Sequence, residues 1–115
     1  MAISEFEIRR VEKIMNDYLE RTRPPVHIRE ELDVGYRIEG QSVELFEVRP
    51  AFDDSSKIIE HAIAKTTYVK REGFWKIYWM RADLKWHRYK PAPEATDLET
   101  FLSIIEDDHY GCFYG

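Results

Sequence analysis

Cysteine is nearly absent from this chain: Cys112 is the only one. An internal disulfide is therefore excluded, and so is any zinc site built on several thiolates. That economy of thiols fits the cytoplasm. Long apolar runs are missing too, and none approaches the roughly 18 residues that span a bilayer. The opening residues Met1–Glu7 carry no basic region ahead of an apolar stretch, so no secretory signal and no membrane association are expected. Repeats and low-complexity stretches are also lacking. What is present, 43% hydrophobic and 34% charged residues in a chain of 115, describes one globular domain with a single core.

Charge is unevenly placed within the net −5. Residues 1–64 hold 9 Lys and Arg against 14 Asp and Glu, a balance of −5. Residues 65–90 hold 8 against 2, a balance of +6, and residues 91–115 hold 0 against 6. Only the middle segment favours a polyanion.

The hydrophobic pattern predicts an α+β fold. Ser4 and Glu7 have capping-box spacing, and Ile8, Val11, Met15 and Tyr18 follow at helical intervals. Pro24-Pro25 ends that helix near Arg21. Leu32, Val34, Tyr36 and Ile38 then alternate with polar residues, as in a strand buried on one face. A turn at Glu39–Ser42 sets Ile38 opposite Val43, Tyr36 opposite Leu45 and Arg37 opposite Glu44, with Pro50 closing the second strand. Residues 52–57 read as a loop. A second hairpin is expected from Ala62 to Arg81, turning at Arg71–Phe74, and a short strand at Trp86–Tyr89. Pro91 and Pro93 suggest a stiff linker, and a last helix opens at Thr96 with Glu99 at capping-box spacing. The closing aromatic segment is expected to dock. Short turns favour an antiparallel meander of about five strands, with the N-terminal and C-terminal helices packed on it.

Arg23-Pro24-Pro25, Gly35-Tyr36-Arg37, Leu45–Pro50, Trp75–Trp79, Trp86–Tyr89 and Gly111–Gly115 together carry a likeness. On these motifs the chain resembles, over nearly its whole length, a family of small bacterial proteins known only as a domain of unknown function. The resemblance implies a compact domain and brings no activity and no catalytic residue with it.

Four constellations bear on function. Glu47 and Arg49 share the strand face of Val43 and Leu45. Burial there makes them either a paired polar pocket for a carboxylate or phosphate, with Arg49 mostly buried, or the solvated end of a strand. His27, His61, His87 and His109 lack close metal-ligand spacing. His87, between Trp86 and Arg88, has the chemistry of a general base but no Ser or Cys nucleophile in a recognisable elbow. Asp53-Asp54 and Glu106-Asp107-Asp108 supply carboxylates without a calcium-loop spacing. Lastly, seven aromatics share residues 65–90 with the eight cations. A sheet showing aromatics between basic groups is a known platform for single-stranded bases, and alternate burial under helices is the competing account.

These features imply no cofactor and no metal. They favour a non-catalytic binding module acting on single-stranded nucleic acid or a protein through Lys70, Lys76, Tyr78, Arg81, Trp86 and Arg88. The alternative is a small ligand-binding domain or enzyme around Glu47, Arg49 and His87.

Overall fold

Ser4 Oγ accepts the Glu7 N–H at 3.3 Å, and helix α1 runs Glu5–Thr22 from that cap in a computed structural model that describes residues 4–114. Val11, Met15 and Tyr18 form its buried stripe. Six strands follow: β1 Asp33–Glu39, β2 Ser42–Pro50, β3 Ile58–Val69, β4 Phe74–Met80, β5 Trp86–Arg88 and β6 Glu94–Ala95. Helix α2, Leu98–Asp107, completes the order. All strand pairs are antiparallel, in the spatial order β1-β2-β3-β4-β5, with β6 also on β4.

The first hairpin has the register its alternation demands: Ile38 faces Val43, Tyr36 faces Leu45 and Arg37 faces Glu44. Gly40, at φ 61°, supplies the left-handed turn residue. The last edge holds a surprise. The proline-containing segment is not a free linker, because Ile77 N–H donates to Pro93 O at 3.0 Å and β6 pairs with Trp75 and Lys76. β5 and β6 thus lie end to end along one edge of β4, with residues 90–93 bowed outward where proline cannot donate to a ladder.

Two boundaries differ from the sequence reading. β3 begins at Ile58 rather than Ala62, and its first residues pair with the end of β2 up to Pro50. The helix α2 cap is Asp97, not Thr96: Asp97 Oδ1 accepts the Thr100 N–H at 2.7 Å and its hydroxyl at 2.6 Å. An aspartate cap adds favourable charge at the helix N-terminus, which a threonine does not.

Both helices cover the same side of the sheet. Their apolar stripes, with Phe101 and Ile105 fully buried, meet Val43, Leu45, Ala64, Thr66, Trp75 and Ile77. Leu45 pairs with Ala64 while Phe46 pairs with Ala62, so Ile63 is an extra residue in β3. That bulge lets Ile63 and Ala64 both be buried, against strict alternation. The only buried polar residue among those described is Thr66, whose Oγ1 donates to Lys76 O at 2.8 Å. The aromatic C-terminal segment does dock: Phe113 is buried and stacks on Tyr89 at 4.8 Å between ring centres.

Candidate functional site

Strand alternation sends every second side chain to the face that neither helix covers. Register carries one row across all five strands of the main path. Arg37 faces Glu44, Glu44 faces Lys65, Lys65 faces Tyr78, and Tyr78 faces Arg88. On one flank of this row stand Trp86, opposite Met80, and Phe46, opposite Gly35; on the other lies Lys76, beside Thr67.

Cations lie over the rings of this face. The Arg37 guanidinium is 4.5 Å from the Phe46 ring centre. The Lys65 ammonium stands 5.4 Å from Tyr78 and 5.7 Å from Trp86, and Arg88 stands 5.8 Å from Tyr78. These are cation–π separations, and they hold flexible side chains against the sheet. The resulting surface is half-buried by its own members rather than by a covering element.

Charge divides the face in two. On the β1–β2 side Arg37 is neutralised by Glu44 at 3.4 Å and by Glu60. Its bond to Glu60 raises its already high pKa further. On the β3–β5 side Lys65, Lys76 and Arg88 make no ion pair among the described residues. Arg88 donates to Pro93 O at 3.1 Å, so the half whose cations lack a carboxylate partner is also the half with Tyr78 and Trp86.

Four of the six residues read from the sequence for a binding face meet here: Lys76, Tyr78, Trp86 and Arg88. The other two do not. Lys70 is exposed where β3 turns into β4, and Arg81 lies over Trp79 at 5.5 Å, on the helix side of the sheet edge. Lys65 and Arg37 belong to the face and were not singled out. The register of the first hairpin was the signal that points to Arg37, and extending it through Glu44 to Lys65 requires the inter-hairpin pairing.

Glu47, Arg49 and His87 are not brought together. Glu47 is on β2 on the helix side, near Tyr114, whose phenol is raised by burial first and by this carboxylate among lesser causes. His87 is three strands away on β5, its Nε2 2.8 Å from Asp83, and this bond pulls the Asp83 carboxyl below the usual range. Arg49, expected to be mostly buried and bound to a carboxylate, is exposed with no ion pair among the described residues. The physical reason is length. β2 outruns the helices, so a position whose parity points inward has nothing above it.

Other reactive groups have quiet surroundings. Burial, then the nearby Asp108, pushes the Cys112 thiol up, away from the thiolate that a nucleophile needs. Asp54 accepts the Ser56 N–H and hydroxyl, forming a turn rather than a cation site. Among the described residues no three His, Cys, Asp or Glu side chains converge as metal ligands, and no helix is long and apolar enough to cross a membrane.

No curated protein and no solved structure matches the chain. Residues 3–115, which include the whole of this face and both helices, match the family model of a domain of unknown function (DUF3024), and the chain belongs to that family.

Proposed function

We propose that this protein is a non-catalytic module that binds single-stranded nucleic acid on the open face of its sheet, in the cytoplasm of a bacterium. The observation that carries the reading is the Lys65–Tyr78–Arg88 row with Trp86 beside it: unpaired cations interleaved with aromatics on a face no helix covers. Phosphates take the cations, and bases stack on the rings or on the guanidinium planes. The cellular placement is supported by the single cysteine and by the family resemblance.

The net −5 does not oppose this. Helix α2 and its caps carry Asp97, Glu99, Glu106, Asp107 and Asp108 without one Lys or Arg. They lie on the helix side, behind the sheet. A layer of that kind is about 10 Å thick, roughly one screening length at 0.1 M salt. A strand on the open face therefore feels Lys65, Lys76 and Arg88 together with the local Glu44 and Glu94, while the α2 acids behind the sheet are screened.

Fluorescence anisotropy of a labelled oligothymidine tests this. Binding is expected at about 50 mM salt and is weakened at least about tenfold at about 200 mM by loss of counterion release. Arg88→Glu and Trp86→Ala each weaken it further. Absence of binding at the lower salt overturns the proposal.

A further inference from the structure

A second site lies at the sheet edge, meeting the open face only at Arg88. After α2 the chain folds back, so that Tyr110 and Cys112 stand beside Trp79, Arg81, His87 and Lys90 at the end of β4 and β5. Together they enclose a cleft of about 450 Å³, within the range of small-ligand sites.

Three properties define what the cleft accepts. First, no Asp or Glu lines it, while Arg81 and Lys90 are exposed and make no ion pair among the described residues. Second, two neighbouring carboxylates are occupied, while Asp107 stands outside the cleft on the far side of Tyr110 and Pro91. Asp83 is bonded to His87, and Asp108 accepts the Phe113 and Tyr114 N–H groups. Third, the walls are aromatic: Trp79 carries Arg81 against its ring, and Tyr110, edge-on to His109, is 64% exposed at the rim.

We infer that this cleft binds an aromatic phosphate of nucleotide size, its phosphate between Arg81 and Lys90 and its ring between Trp79 and Tyr110. Free mononucleotides and the phosphorylated end of a single strand share that chemistry. Arg88 borders both sites, but the residues assigned to the ligand here, Arg81, Lys90, Trp79 and Tyr110, are separate from Lys65, Tyr78 and Trp86, so variants of those residues test the two proposals separately.

The experiment follows the Trp79 indole N–H by proton–nitrogen NMR while adenosine monophosphate, inorganic phosphate, and an oligothymidine with or without a 5′-phosphate are titrated. Adenosine monophosphate or the 5′-phosphorylated strand is expected to shift Trp79, and inorganic phosphate alone to shift it less. A free nucleotide source shows as a response to the monophosphate. A strand-end source shows as a response to the 5′-phosphorylated strand only.

Arg81→Ala combined with Lys90→Ala is expected to weaken this response about tenfold or more, as loss of charge-assisted bonds does. Lys85→Ala, exposed in the β4–β5 turn, should leave it unchanged, and both proteins should keep the wild-type circular dichroism. No Trp79 shift with either phosphorylated probe overturns the inference, as does a shift that the double variant retains. Oligothymidine binding that depends on Trp86, with no Trp79 shift from either phosphorylated probe, rejects the cleft while sparing the open face.

Discussion

Asp108 holds Phe113 in place: from the left-handed C-cap of α2, at φ 41°, its Oδ1 accepts the Phe113 N–H at 3.0 Å. Its Oδ2 accepts the Tyr114 N–H at 2.8 Å. One carboxylate thus ties the C-terminal segment to the helix end and sets Phe113 into the core against Tyr89. Two charge-assisted bonds at a partly buried position imply that Asp108→Ala costs about 2–4 kcal/mol. Asp108→Gly removes the same bonds but relieves the backbone, so it should cost less. Denaturant unfolding of both variants tests this, and equal losses would mean that the backbone conformation contributes nothing.

Tyr18 and Tyr114 join the same segment to α1 through their hydroxyls, 3.0 Å apart. Burial, the largest cause, pushes both phenols above their usual 10.0. A raised folded-state pKa stabilises below the unfolded value and is lost as pH rises beyond it. Stability is therefore expected to hold to about pH 10 and then fall. Tyrosinate absorbance should show the buried phenols, Tyr18 and Tyr114 among them with Tyr89, ionising only with unfolding. Tyr114→Phe should soften the alkaline decline.

The acid limb has the opposite sign. The fork of Arg23 onto Asp33, at 2.7 and 2.6 Å, holds that carboxyl below the usual 3.8. Thr100 does the same for Asp97. Depressed carboxylates stabilise above their unfolded pKa and lose that contribution as pH falls through the folded one. Urea midpoints should thus drop below about pH 4. Arg23→Ala should shrink that drop, and an unchanged acid profile would mean that the exposed fork is silent.

Thr66 and Arg49 make a contrasting pair. Thr66 is fully buried with its hydroxyl on Lys76 O, so Thr66→Val should cost about 1 kcal/mol. Arg49 is exposed and unpaired among the described residues, and Arg49→Ala should stay within about 0.5 kcal/mol. A loss of several kcal/mol at Arg49 would restore the buried pocket that its strand parity suggested.

Gly35 lies under Phe46 on the open face, where an added Cβ would meet the ring at 3.0 Å. Gly35→Val is expected to push that ring away and disturb the Arg37 contact above it, at about 1–3 kcal/mol. Gly35→Ala should cost less, because a ring on an open face can shift. Thermal unfolding orders the two variants.

Local chemistry decided much of this protein. Ser4 capped its helix, and the Glu39–Ser42 turn with period-two alternation set which β1 residue faces which on β2. Both are short-range effects that a few neighbouring residues complete by themselves. The same alternation along β4 sends Trp75 and Ile77 one way and Tyr78 the other. Only tertiary structure decided what lay above each face. Arg49 points to the helix side yet escapes cover because β2 is longer than the helices reach. Ile63 is buried out of turn because the strands pair around a bulge. Lys65, Tyr78 and Arg88 become one row only when three strands align, and Tyr110 comes to line one cleft with Trp79 only when the chain returns after α2. Parity along a strand is a property of neighbouring residues, whereas burial and convergence depend on contacts between segments far apart in the chain, which no local pattern encodes.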